Sequence, residues 1–294
     1  MTETNDKIRK AIFSSTPPSL ALALEKVDFE DLREIRLRTS RQTALYYGNK
    51  TLFTGKVWLQ SEISEIFSAI CRNSVYAYMN EIKNGFITIC GGHRIGLGGE
   101  CITENGEIIS MKAISTINIR LAREVKGCAS PIINHIQNNG KIKNTILISP
   151  PACGKTTMLR DIARLLSYNN KVTLVDERSE LSASYCGTPQ FDIGPQTDVL
   201  LRAPKNQAMV MALRSLSPDV IITDEIGSSD DIIALKQVLG AGCKIITSIH
   251  GYSTDSIKAT KGELLSLFDT KIELSRVNGI PKIHKIHHGD DTYD

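Results

Sequence analysis

Residues 149–157 read Ser-Pro-Pro-Ala-Cys-Gly-Lys-Thr-Thr, between the apolar run "NTILIS" and the amphipathic segment "MLRDIARLL". That order of residue types suits phosphate. Backbone amides from Ala152 to Thr156 can point at phosphate oxygens while a helix N-terminus behind them adds its positive end. The Lys155 ammonium reaches the outer phosphates and the Thr156 hydroxyl takes a magnesium ion. The loop expected to wrap a nucleotide is therefore Pro151, Ala152, Cys153, Gly154, Lys155, Thr156 and Thr157. Pro150 and Pro151 have no N–H to donate, but they precede the amides that matter and stiffen the loop. The strict G-x-x-x-x-G-K-[ST] pattern is broken once, by Ser149 at its first glycine. A bare Gly-Lys-Thr also occurs in surface turns, so the strand before, the helix after and a second motif downstream carry the reading.

That second motif is "DVIITDE", a buried strand ending in Asp224-Glu225. One carboxylate is expected in the magnesium shell and the other beside the attacking water, which it orients and polarises. Asp219, at the start of the run, reads as a solvated turn residue. Two more strand ends carry polar groups: Asp176, Glu177, Arg178 and Glu180 after "VTLV", and Thr247, Ser248 and His250 at the end of "IITSIH". In a parallel sheet these ends converge on one crevice. His250 is then placed to sense the outer phosphate. Arg94, Arg120 and Arg123 flank glycine-rich turns or strand ends in the first half, and an arginine presented across an interface stabilises charge in phosphoryl transfer.

The elements that must hold these residues are legible from periodicity. "NTILIS", "KVTLVD", "DVIITD" and "CKIITS" are short β-branched runs suited to burial on both faces, with helical segments near 155–168, 204–217 and 229–240 between them. This alternation predicts an α/β domain with a mainly parallel sheet and ligands at the strands' carboxyl ends. The first half differs. "REIRLRT" alternates as a half-exposed strand, Ser61 is expected to cap a helix burying Ile63, Ile66, Phe67 and Ile70, and residues 84–125 run at period two with glycines. Asn105-Gly106 predicts a hairpin there, and Asn278-Gly279 a second one at the end of the chain. The expected division is a smaller α+β domain with an antiparallel sheet over 1–125, serving regulation or oligomerisation, a link over 126–144, and the nucleotide domain over 145–294.

Bulk properties narrow the classes. A chain of 294 residues accommodates two domains, and a net charge of +3 falls short of the basic balance that selects nucleic acid or anionic membrane on charge alone. Seven cysteines with no C-x-x-C pair fit a reducing cytoplasm rather than a disulfide framework or zinc site. No apolar stretch approaches the roughly 20 residues needed to span a bilayer, so a membrane role is expected to be peripheral. From residues alone the expectation is a magnesium-dependent nucleotide hydrolase whose first domain regulates or couples hydrolysis.

Together "ISPPACGKTTMLRDIAR", "VDERSE", "GPQTDVL", "SLSPDVIITDEIG", "GGHRIGLGGE" and "INIRLARE" resemble the stage III sporulation protein AA family of spore-forming Firmicutes, whose loop takes the Ser-Pro-Pro form. That family is similar to the secretion and pilus ATPases. The resemblance implies a RecA-like P-loop core behind a sheet domain, ATP and Mg2+ as ligands, and a hexameric ring with ATP at subunit interfaces. It implies a motor at the cytoplasmic face of the mother-cell membrane, powering a secretion-like channel into the forespore through membrane-protein partners. By position Lys155 and Thr156 match the P-loop, Asp224 and Glu225 the Walker B strand, Asp176 to Glu180 the acidic box and Thr247 to His250 the histidine box. Arg178 stands where secretion ATPases have proline, and Gly251-Tyr252 where they have Thr-Asn. The rival expectation is a nucleic-acid-dependent ATPase on the same core. It would need a basic groove with stacking aromatics, for which Tyr76, Tyr78 and Phe86 are the nearest approach in a chain with 5% aromatic residues.

Overall fold

The computed structural model describes residues 3–48, 50–151, 153–277 and 280–289. It divides into two compact units, Met1–Arg123 and Glu124–Asp294.

In the first unit the helices α1 (Glu3–Ser14) and α2 (Pro18–Ala23) precede the strands β1 (Glu34–Arg38), β2 (Gln42–Tyr47) and β3 (Lys50–Val57). Helices α3 (Gln60–Ile70) and α4 (Met79–Lys83) follow, then β4 (Phe86–Thr88), β5 (Arg94–Glu104) and β6 (Glu107–Arg120). The six strands form one antiparallel sheet in the order β3-β2-β1-β6-β5-β4. Its two faces follow from the period of two. Ile35, Leu37, Ile95, Ile117 and Ile119 pack with Ile12, Leu20, Ile63, Ile66 and Ile70 of the helices. Residues one step away, Glu34, Arg36, Arg94 and Arg120, remain on the polar face. Asn105 (φ 52°) and Gly106 (φ 81°) make the β5–β6 turn, since both positions are left-handed, as a two-residue hairpin with matching twist requires. The cap expected at Ser61 is made otherwise: the N-cap is Leu59, two residues earlier, and Glu62 Oε2 accepts the Leu59 N–H at 2.8 Å.

The second unit begins with a short turn of helix, α5 (Ile133–Ile136), and the small pair β7 (Gln137–Asn138) and β8 (Lys141–Ile142). Residues 126–144, expected as a link, instead belong to this unit: Ala129, Ile132, Ile136 and Ile142 are buried in its core. Then come β9 (Thr145–Ser149), α6 (Lys155–Leu166), β10 (Val172–Asp176), β11 (Thr197–Leu201), α7 (Lys205–Ser215) and β12 (Val220–Thr223). The chain continues through α8 (Ser229–Gly240), β13 (Lys244–His250), α9 (Thr254–Leu265), β14 (Thr270–Val277) and β15 (Ile280–His288). The sheet order is β11-β10-β12-β13-β9-β14-β15, parallel throughout except for the last, antiparallel pair. The turn joining that pair, expected at Asn278-Gly279, lies outside the described residues.

Every residue of β9, β10 and β12 is buried because the sheet is covered on both faces. Leu147, Leu174, Ile222 and Ile246 pack on one side with Met158, Leu159, Ile162 and Leu166 of α6. Their strand neighbours Ile146, Ile148, Val175, Ile221 and Ile245 pack on the other side with Met209 of α7, Leu235 of α8 and Leu264 of α9. Among the described residues no helix is long and apolar enough to cross a membrane.

Candidate active site

The carboxyl ends of β9, β12 and β13 meet at a cavity of about 330 Å³. Pro151, Cys153, Gly154, Lys155, Thr156 and Thr157 line one side and Arg178, Glu180, Asp224, Glu225, Ser248 and His250 the other. Ala152, expected in the same loop, lies outside the described residues. Gly154 holds the turn into α6 at φ 81°, and a Cβ there would stand 2.9 Å from Pro281 Cγ, so both backbone and space demand glycine.

Lys155 is the hub. Its Nζ donates to Ser149 O at 2.9 Å and Pro150 O at 3.1 Å, and lies 3.0 Å from His250 Nδ1. Partial burial draws its ammonium below the ordinary lysine value, against the pull of the nearby Glu225 carboxylate. Glu225 Oε2 is 3.3 Å from His250 Nε2, and the Glu225 N–H donates to Ser248 Oγ at 3.1 Å. Burial raises the Asp224 carboxyl above its usual range, with the Lys205 ammonium 3.4 Å away acting in the opposite direction. Thr156 and Asp224 offer a hydroxyl and a carboxylate to the same cavity, hard oxygen donors of the kind magnesium takes when phosphates complete its shell.

Several strand-end residues do other work. Asp176 is fully buried and accepts from the amides of Glu180, Leu181 and Ser182 and from Ser182 Oγ, so it folds the acidic turn. Thr247 is buried within β13, whereas Ser248 and His250 face the cavity. Glu177 joins the group through Lys205, whose Nζ is 3.9 Å from Glu177 Oε2. Asp219 accepts the Lys171 N–H at 2.7 Å, a turn role as expected.

Two residues of this region escaped the sequence reading. Lys205 is buried at the first position of α7, and a cation at the positive end of a helix is a signal that it answers carboxylates elsewhere. Arg160 of α6 donates to the carbonyls of Glu180 and Leu181 and stacks over Phe191 at 4.3 Å, tying the P-loop helix to the acidic turn. A larger, mainly apolar groove of about 580 Å³ between α7 and α8, with Val210, Met211 and Ile233, contains none of these groups.

In the first unit the three arginines differ. Arg94 and Arg120 are cross-strand partners on the polar face, Arg120 beside Glu34 at 3.6 Å and Arg94 over the Phe86 ring at 3.8 Å. Arg123 is turned inward, donating to Asn5 Oδ1 at 3.1 Å, Leu32 O at 3.2 Å and Phe29 O. Its guanidinium is thus engaged in holding α1 and the α2–β1 connection, a correction to the expectation that groups it with Arg94 and Arg120. Of the candidate stacking aromatics, Tyr76 is exposed, while Tyr78 packs against the core and Phe86 lies against Arg94.

Residues 5–287 match the family described as "Sporulation stage III, protein AA". The chain belongs to that family. It is 37% identical to the stage III sporulation protein AA of Bacillus subtilis over 287 residues, 93% of each chain. Among solved structures, the ATPase DotB of Legionella pneumophila superposes with a TM-score of 0.62 at 15% identity, over 94% of this chain and 82% of its own. The pilus retraction motor PilT, solved with bound ADP, gives 0.62 at 14% identity over 93% and 83%. At such identities the likeness is one of fold: this member of the sporulation family has a RecA-like core preceded by a sheet domain.

Proposed function

We propose that the chain is a magnesium-dependent ATPase of the secretion-motor kind, working as a hexameric ring. The observation that carries this reading is the meeting of Lys155, Thr156, Asp224, Glu225 and His250 around one cavity at the sheet's carboxyl edge. The loop amides from Cys153 to Thr157 bind phosphate oxygens, and Lys155 leaves the carbonyls of Ser149 and Pro150 to take the outer phosphates. Thr156 and Asp224 hold Mg2+, which when bound neutralises phosphate charge. Glu225 orients the attacking water and accepts its proton, and His250, bonded between Lys155 and Glu225, reports whether the outer phosphate is present. Arg120, exposed on the polar sheet face, acts from a neighbouring copy together with its half-buried cross-strand partner Arg94.

Family membership supports a role in sporulation. We read that role as driving a secretion-like channel between mother cell and forespore, through membrane-protein partners at the cytoplasmic face. The test is steady-state Mg-ATP hydrolysis titrated with protein, and separately with single-stranded DNA and RNA at low salt. A specific rate that rises with protein concentration and ignores nucleic acid is expected. A large stimulation by nucleic acid that salt abolishes would replace the secretion motor with a strand-tracking one.

A further inference from the structure

Lys205 is a buried cation at a helix N-terminus. It is 7% exposed and occupies the first position of α7, so both desolvation and the positive end of the helix oppose its charge. Three oxygens compensate: Glu225 O at 2.6 Å, Asp224 Oδ1 at 3.4 Å and Glu177 Oε2 at 3.9 Å. They come from two places, the end of β12 and the turn after β10. Lys205 thereby bridges Glu177 to the Asp224-Glu225 pair.

Resting on the ATPase reading, we propose that Lys205 is a positioning residue: it fixes the Glu225 main chain and the Glu177 carboxylate relative to Asp224, so that the two glutamates meet the substrate as one unit. The shortest contact goes to a backbone carbonyl, not to a carboxylate. The lysine therefore sets where the Glu225 side chain starts from, while its charge gathers Glu177 and Asp224 around the same point. Because Lys205 stands behind the carboxylates rather than against the P-loop, its loss is expected in turnover far more than in nucleotide affinity.

The experiment uses the full chain with Lys205→Met, Lys205→Gln, Lys205→Arg, Glu177→Gln and the Lys205→Met/Glu177→Gln pair. Affinity is read from the fluorescence of Mg-bound methylanthraniloyl-ATP and turnover from phosphate release. Lys205→Met should bind within about threefold of wild type and turn over roughly tenfold or more slowly, while Lys205→Arg recovers most of the rate. The double variant should be no slower than the slower single one, because the second change removes a contact already broken. Lys205→Gln keeps a hydrogen bond to the Glu225 carbonyl without the charge, and carries the comparison if the Met variant does not fold. Turnover within about twofold of wild type, affinity falling in step with turnover, or a double variant that multiplies the two single losses would overturn the proposal. A wild-type protein that binds ATP without hydrolysing it overturns the ATPase reading and this role with it. Normal wild-type turnover with unaffected Lys205 variants overturns this role alone.

Discussion

His250 Nε2 lies 3.3 Å from Glu225 Oε2 while its Nδ1 lies 3.0 Å from Lys155 Nζ. An ammonium can only donate, so Nδ1 accepts and the ring proton resides on Nε2, where it is donated to the glutamate. The histidine therefore links the residue meant for the outer phosphate to the residue meant for the water.

Replacing His250 with alanine should cut that link without emptying the phosphate loop. Nucleotide affinity is expected to stay within about threefold and kcat to fall roughly tenfold, since an orienting hydrogen bond and not the base itself is removed. Parallel nucleotide titration and turnover check it. A loss of affinity with unchanged kcat would give His250 a binding role instead.

Lys155→Ala should weaken Mg-nucleotide binding by about 2 kcal/mol or more, because a charged donor is lost from a half-buried site. If Arg120 acts across an interface, subunits carrying Arg120→Ala should restore hydrolysis to Lys155→Ala subunits in mixed rings, each supplying what the other lacks. Mixed rings that form and stay inactive would count against action in trans.

Arg123→Ala should act on folding. It strips three acceptors of their donor, two of them backbone carbonyls, and a loss of roughly 2 kcal/mol in the first unit is expected. Urea unfolding followed by Trp58 fluorescence reads it directly, since that single tryptophan is buried in the same unit. A stable variant with normal melting and lost hydrolysis would return Arg123 to the interface.

His93 gives the first unit a dependence on acid. Its ring is buried and accepts the Ala122 N–H at Nδ1, and burial, aided by the Arg123 charge, pushes its pKa from 6.5 down to about 4. Below pH 6.5 the unfolded chain takes up a proton that the folded unit refuses until about pH 4. Stability is thus complete above the unfolded value and lost on acidification, by about 2 kcal/mol between roughly pH 7.5 and pH 5. His93→Gln, which can still accept the Ala122 N–H, should flatten that dependence; an unchanged slope would assign it to other groups.

Much of this arrangement was legible in the sequence. Four β-branched runs became β9, β10, β12 and β13, and the alternation of Ile35 and Leu37 against Glu34 and Arg36 assigned the two faces of the first sheet. What escaped was set by tertiary context. β11 is a short strand of mixed burial with Asp198 as its second residue and has no local signature, and the hairpin signal at the end of the chain gave no sign that its first strand, β14, pairs in parallel with β9 over a hundred residues earlier. Ser61 yielded its cap to Glu62 because a carboxylate three residues into the helix reaches the free amide equally well. Lys205 and Arg160 were hidden for a common reason: a cation's function depends on oxygens far away in the chain, which no spacing reveals.

The most direct test is Glu225→Gln, which removes the base and keeps the shape of the site. Mg-ATP should bind the variant at least as tightly as wild type, while single-turnover hydrolysis slows by about a hundredfold or more. Hydrolysis at the wild-type rate in a variant that binds ATP normally would contradict the assignment of this cavity as the place where the phosphate bond is broken.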